Sequence, residues 1–598
     1  MNAPAREEYS KRRGRLEHRI AYWKNWERRL SVARLIAFGT TAALLWAAYG
    51  PPDLPGAWIA PPAVGFVLLL VSHDRVIRRR RRAERAAKFY ARGLSRIDGH
   101  WAGQGDAGEE FRDADHPFCD DLDIFGVGSL FEFLSNARTK AGREQLAEWL
   151  RSPADAMEIR ARQAAVGELR PQLDLREDLA ILGEDLESRL DPRAVSRWAN
   201  EDLLLVSRRG PVLLAALLSA GTTLSGASWI LAGTGPFPFT VAVLAQIAFA
   251  LAWRRRVRTV IRQADQPVRD LGLLRLLLER LEAESFETSR LVQLQEGLGD
   301  GGPAPSLRIA QLDRLQRLLD ARLNQFFVPI GALLLWGTQF AFAIERWREE
   351  NGAAITRWID SSAEFEALAS LSGYAYENPR SVFPELAPEE DGPLFEGVEL
   401  GHPLVHESEN VLNDVSLNAE TRALIVSGSN MSGKSTLLRS IGINLVLAQA
   451  GAPVRAGQMR ISRLAVGASI RVNDSLQKGT SRFYAEILRL RAILDLAGGE
   501  RKTIFLLDEI LHGTNSHDRQ RGAQGVIRSL LERGGIGLVT THDLALTRIA
   551  EEPELCVANV HFEDRVTDGR VEFDYHLRPG IVENSNALDL MRAIGLDV

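Results

Sequence analysis

Apolar runs and charged blocks alternate along the chain in a repeated order. Residues 32–49 (VARLIAFGTTAALLWAAY) carry one charge, Arg34, and residues 57–72 (AWIAPPAVGFVLLLVS) carry none. Gly50-Pro51-Pro52-Asp53 forms a turn signal between them. The order recurs at 211–231 and 237–253, around Gly233-Thr234-Gly235-Pro236. Each run is an apolar helix close to the ~20 residues that span a bilayer. Arg75 and Arg78 through Arg82 follow the first pair, while Arg208-Arg209 and Arg254-Arg255-Arg256 bracket the second. Trp46, Tyr49 and Trp58 sit beside the first turn. Positive charge at the open ends and aromatic residues at the turn are the pattern of a hairpin whose open ends stay in the cytoplasm. We expect transmembrane hairpins at 32–73 and 206–256, with non-cytoplasmic turns near 50–56 and 232–236. The alternative is a pair of helical hairpins buried in a soluble core.

The remaining pattern is helical until about residue 375. A basic arm occupies 1–31 and a basic linker 74–114. In 115–205, Phe125, Leu130, Phe131 and Leu134 share one helix face, as do Leu146, Trp149 and Leu150. Leucines at helical spacing continue through 264–297, and helix resumes over 306–325 after the glycine- and proline-rich loop 299–305. These belong to a second helical part, 257–375. A proline-rich linker covers 376–400. From 401 to 598 short apolar strands alternate with helices.

Charge and cysteine content narrow the function classes. The 598 residues hold 73 basic and 78 acidic side chains, a net charge of −5, which argues against a globally basic nucleic-acid binder. Cys119 and Cys556 are the two cysteines, distant in sequence and near no metal-ligand spacing. A disulfide framework and a zinc site are both disfavoured, and a reducing compartment fits. The first 30 residues are charged and do not resemble a cleavable signal.

The chemistry concentrates in 422–436, RALIVSGSNMSGKST. An apolar strand leads into Gly428, Ser429, Asn430, Met431, Ser432, Gly433, Lys434, Ser435 and Thr436, which is the P-loop pattern. The glycines let backbone N–H groups curl inward toward phosphate oxygens. Lys434 reaches β- and γ-phosphates, Ser435 suits Mg²⁺, and the helix begun at Thr436 adds its positive end. Strand 503–509 (TIFLLDE) ends in Asp508, placed to hold Mg²⁺, and Glu509, placed to polarise the attacking water. Strand 536–542 (IGLVTTH) ends in His542, a candidate sensor of the γ-phosphate or that water. A fifth uncharged run, 326–344, would put this site on the side away from cellular ATP if it crossed once. Its flanks also carry charges of mixed sign, so we expect a buried helix of the soluble core there.

These segments resemble a known family. GSNMSGKST, LLDEILHGTNSHD, TTHD, the loop DSLQKGTSRFYAE and the closing SNALDLMRAIGL are similar to the ATPase domain of MutS-type mismatch-repair proteins, relatives of the ABC ATPases. The likeness is close over 400–598. Thr139, Gly142, Leu146, Trp149-Leu150 and Pro153 also resemble the family's helical core. The resemblance implies ATP and Mg²⁺ as cofactors, a homodimer with composite sites, and contact of Ser481 with nucleotide held by the other subunit. It departs at Leu511-His512, where the family usually has Gly-Arg, and at Asn410, where many members have an aromatic that stacks on adenine. No mismatch-reading wedge is recognisable, since Phe131-Glu132-Phe133 falls inside a core helix.

The expected fold is therefore α plus α/β and multidomain. A MutS-like helical core carries two transmembrane hairpins, and a P-loop, ABC-like α/β ATPase domain follows. The expected function is an ATPase switch in the inner or plasma membrane, with the N-terminus and ATPase domain cytoplasmic and the lipid bilayer as a partner. An alternative is binding of mismatched or branched DNA near the membrane through the basic blocks at 11–34, 75–86 and 254–262. An ABC-like transporter is the third class, disfavoured by four short crossings with no charge in mid-run.

Overall fold

A computed structural model describes residues 3–50, 55–182, 191–205, 209–299, 302–429, 432–471, 482–512, 515–567 and 570–582. The chain divides into two compact units, Met1–Leu134 with Gly373–Val598, and Ser135–Ser372. In the first unit, α1 (Ala3–Tyr49) runs the basic arm and the first apolar run into one helix, because no proline intervenes and Gly14 and Gly39 alone do not break it. It packs along α2 (Ala60–Ile97). At their charged ends Tyr9 is fully buried, stacked on Tyr376 and edge-on to Tyr90. Arg96 makes a bidentate pair with Glu377, with both side chains nearly inaccessible.

Short helix α3 (Leu130–Leu134) closes this N-terminal part. The sequence placed 115–205 in one helical core, whereas the unit boundary falls at Leu134. The cause is a polar anchor: buried Asp121 accepts the N–H groups of Ile470 and Arg471 at 2.6 and 2.8 Å, and Arg439 donates to its carbonyl. Glu132 lies within α3 and accepts N–H from Gly105 and Gly128, as a structural residue does.

The second unit is helical. It contains α4 (Lys140–Arg151), α5 (Ala156–Leu169), α6 (Leu173–Ile181), α7 (Pro192–Asn200), α8 (Arg209–Ala232), α9 (Phe237–Glu282), α10 (Ser289–Leu298), α11 (Pro305–Asp320), α12 (Val328–Leu333) and most of α13 (Trp336–Glu377). Thr139 caps α4 by accepting from Gly142 N–H, and buried Glu366 in turn accepts the N–H groups of Arg138 and Thr139. Leu271, Leu274 and Leu278 of α9 pack with Ile309 and Leu312 of α11 and with Ile355 and Trp358 of α13.

Four described helices are long and apolar enough to cross a membrane: Pro4–Tyr49, Ala57–Ile97, Gly210–Ala232 and Phe237–Glu282. Their apolar windows are 0%, 0%, 17% and 6% buried, so the apolar side chains face outward. The run 326–344 departs from its expectation. It is broken rather than one helix, because Leu335 takes φ +48° between α12 and α13. Its first half is also exposed rather than buried, with Phe326 at 92%.

The C-terminal part of the first unit holds two sheets. Strands β1 (Glu385–Leu386), β2 (Phe395–Leu400), β3 (Asn413–Leu417), β4 (Ala423–Ser427), β5 (Gln458–Ile461), β6 (Ala465–Ser469), β7 (Thr503–Asp508), β8 (Ile536–Thr541), β9 (Val557–Thr567) and β10 (Arg570–Pro579) alternate with α14 (Lys434–Ala450), α15 (Arg482–Ala497) and α16 (Ser516–Glu532). A four-stranded sheet has the order β1-β5-β2-β3, and a six-stranded sheet the order β10-β9-β4-β8-β7-β6. In the larger sheet all neighbours pair in parallel except β10 with β9. Strands β4 and β8 are buried along their whole length, in keeping with their mostly apolar sequences.

Candidate functional site

Three parallel strands, β4, β7 and β8, end on one edge of the six-stranded sheet. Their register sets Asp508 beside Thr540 and Ser427 beside Thr541. Ligands bind outside such carboxyl ends, where the chain leaves strands for loops. After β4 the chain curls through Gly428 into α14. Gly428 holds φ +150° and Gly433 φ +95°; a Cβ on Gly428 would come within 2.7 Å of Ser432 Oγ. Only glycine fits both demands, so this curl is written into the sequence.

The side chains predicted for chemistry converge here. Lys434, 4% exposed, donates to the carbonyls of Gly428 and Ser429 at 2.8 and 2.7 Å and lies 3.2 Å from Glu509 Oε1. Ser435 Oγ donates to Asp508 Oδ2 at 2.5 Å. Thr540 Oγ1 donates to the other Asp508 oxygen and accepts from Glu509 N–H at 3.0 Å. Glu509 holds φ +47°, a conformation that costs a non-glycine residue on the order of 1 kcal/mol and is kept by these bonds. His542 Nδ1 and His512 Nε2 lie 3.6 and 3.2 Å from Glu509 Oε2, and the two rings stack at 4.7 Å. Partial burial holds His512 below the usual histidine range against the pull of Glu509.

Ser432 is buried and donates to Ser429 carbonyl, and Thr436 is exposed at the cavity wall. Asn430, Met431 and Ser481 lie outside the described residues. Glu486 of the DSLQKGTSRFYAE loop is described; it accepts Leu511 N–H at 2.5 Å and ties α15 to the segment after β7.

A cavity of about 460 Å³ opens beside Lys434, Ser435 and Thr436. Its far wall holds His402, Asn410, Phe562 and Tyr575. Asn410 does not offer a stacking face. Its amide clamps a loop, accepting His402 N–H at 3.0 Å and donating to His402 carbonyl at 2.7 Å. The aromatic rings at this wall are Phe562 and Tyr575 of β9 and β10. Sequence reasoning missed them, because no local pattern marks either. It also missed Thr540, although a buried apolar strand ending in two threonines carried a signal. Hard oxygen donors on Ser435 and Asp508, a lysine at the curled loop and the adjoining cavity together fit a nucleoside triphosphate with Mg²⁺.

Comparison with known proteins agrees with this site. Residues 424–597 match the model of MutS domain V. The chain is 30% identical over 513 residues to a DNA mismatch repair protein MutS 1 of Halobacterium salinarum, covering 78% of this chain and 58% of that protein. It is 29% identical over 535 residues to a DNA mismatch repair protein MutS of Azorhizobium caulinodans, covering 78% and 55%. A DNA mismatch repair protein MutS of Natronomonas pharaonis is 33% identical over 259 residues, 42% of this chain and 29% of that protein. The chain thus spans little more than half the length of the first two of these relatives. The domain V match spans the strand edge that gathers Lys434, Ser435, Asp508 and Glu509, and this part of the chain is a MutS domain V.

Proposed function

We propose that the protein is a membrane-anchored ATPase switch built on the MutS ATPase domain. The observation that carries this reading is the convergence of Lys434, Ser435, Asp508, Thr540 and Glu509 at one strand edge. Mg²⁺, when bound, supplies neutralisation of phosphate charge. Ser435 and Asp508 are the residues that hold it, and Lys434 exchanges its carbonyl partners for phosphate oxygens. Glu509, released from Lys434, polarises the attacking water, with His542 and His512 beside its other oxygen. A second copy of the chain completes the nucleotide face through Ser481, giving a homodimer with composite sites. ATP binding closes that dimer, hydrolysis reopens it, and the long helices carry the change to the apolar hairpins. Exposed Leu35, Ile36, Phe38, Trp46, Val64 and Leu68 in α1 and α2, flanked by arginines, support anchoring in the inner or plasma membrane with the ATPase cytoplasmic.

Glu509→Gln keeps the shape and removes the base. In detergent or nanodiscs, ATP hydrolysis is expected to fall by at least about 100-fold, the scale of a lost general base. A variant that turns over at the wild-type rate would sink the assignment.

The relatives' printed names support a second reading, recognition of mismatched DNA. Arg254, Arg255, Arg258 and Arg262 are exposed on α9 and offer phosphate contacts. Duplex retention whose logarithm falls linearly with log salt would favour it. No retention at low salt would remove it.

A further inference from the structure

The broken run after α11 is an exposed apolar stretch that the two hairpins do not absorb. Leu323, Phe326, Val328 and Ile330 are 72%, 92%, 52% and 51% exposed. Helix α12 has six residues and stops at Leu333, just before the chain turns at Leu335, whose N–H closes on the Ala332 carbonyl at 3.2 Å. Its last carbonyls also take side-chain donors. Gln246 Nε2 of α9 donates to Ala332 and Leu333 carbonyls at 2.9 and 2.7 Å. Gln246 Oε1 accepts from Thr222 Oγ1 of α8 at 2.6 Å, and both side chains are buried. Gln339 Nε2 donates to Leu334 carbonyl at 2.7 Å and reaches Ser219 Oγ at 3.3 Å.

The position of Gln246 along α9 gives the depth. It precedes Arg254 by eight residues, about 12 Å of helix rise, inside an apolar window whose neighbours Leu244 and Ile247 face outward. Leu335 packs against Ala215 and Phe249 of the same hairpin. The chain then comes back along α13, where Phe342 meets Trp253, next to Arg254, at 5.5 Å. Charged residues flank the run at both ends, Asp320 and Arg322 before it, Glu345 and Arg346 after it. Irregular backbone survives at membrane depth only where protein groups satisfy its polar atoms, which is the arrangement here.

We propose that residues 323–335 form a re-entrant segment. It enters the bilayer from the Arg254–Arg256 side, turns Phe326, Val328 and Ile330 to lipid, and reverses at Leu335 with the last carbonyls of α12 latched by Gln246. The proposal rests on hairpin α8–α9 lying in a bilayer, and the test separates the two.

Single spin labels go onto Phe326→Cys and Ile330→Cys, with Leu244→Cys as the hairpin reference and Val127→Cys, 72% exposed, as the aqueous reference. The background is the full chain carrying Cys119→Ala and Cys556→Ser, in proteoliposomes. Collision with oxygen is compared with collision with a water-soluble nickel chelate. Labels at 326 and 330 are expected to favour oxygen, as at 244, while 127 favours nickel. Nickel preference at 326 and 330 with oxygen preference kept at 244 would overturn the re-entrant segment alone. Nickel preference at 244 as well would overturn the anchored hairpin together with it. Exclusion of both reagents, with dipolar broadening between labels, would assign the face to a second copy and overturn the proposal. Gln246→Leu is expected to raise label mobility and nickel access at 330; an unchanged spectrum would overturn the latch.

Discussion

Lys434 and Gln246 make the same contact in opposite settings. Each is nearly inaccessible, and each spans two consecutive backbone carbonyls: Gly428 and Ser429 for Lys434, Ala332 and Leu333 for Gln246. Lys434 also borders a cavity of about 460 Å³ and faces Glu509 at 3.2 Å, so an anion entering the cavity offers it a stronger partner. Gln246 borders Thr222 and outward-facing Leu244 and Ile247, and none of these three neighbours carries a charge to compete for its amide. One contact is therefore exchangeable and the other fixed. The difference teaches that a donor's role is set by what else it can reach, not by the bonds it makes at rest.

Substitutions sharpen that contrast. Lys434→Ala removes a charged partner of phosphate, worth about 1.5–3 kcal/mol, so affinity for an ATP analogue with Mg²⁺ is expected to fall about 10- to 100-fold with little change in unfolding midpoint. Gln246→Leu removes the hydrogen bonds to the Ala332 and Leu333 carbonyls and the one from Thr222, about 0.5–1.5 kcal/mol each, and is expected to lower the unfolding midpoint in detergent while nucleotide affinity stays put. Equal loss of nucleotide affinity in both variants would erase the distinction.

The smallest effect is a pH dependence at the cavity wall. Burial, with Arg439 adding to it, lowers His402 from 6.5 to about 4. Its neutral Nδ1 accepts Leu404 N–H at 3.2 Å. The unfolded chain takes up this proton below 6.5 and the folded chain only near 4, so stability is present above 6.5 and lost as pH falls through that interval. The unfolding midpoint should decline from pH 6.5 toward 4, and His402→Gln should flatten part of the decline.

The glycine-bearing loop after β4 and the ends of β7 and β8 were legible because their patterns are local. Gly428, Gly433, Lys434 and Ser435 sit at fixed offsets, and an apolar strand ending in Asp508-Glu509 announces itself. Thr540 was hidden by its neighbour His542, the more conspicuous strand end. Phe562 and Tyr575 come from distant strands, and only the sheet order brings them to the cavity. The run 326–344 was misjudged as one buried helix for a similar reason. Hydropathy registers apolar content, but the break at Leu335 is stabilised by Gln246, some ninety residues earlier, and no local period encodes that. Asn410 likewise looked like a missing aromatic and turned out to clamp its own loop.

The central claim is that nucleotide at Lys434 moves helices held in lipid. The most direct measurement places a spin label at Ile330→Cys in the Glu509→Gln chain, in proteoliposomes, and records its spectrum with and without ATP and Mg²⁺. The account predicts a changed spectrum on adding nucleotide, and no change when Lys434→Ala is added to the same chain. Identical spectra in the Glu509→Gln chain, with ATP shown to be bound, would contradict it.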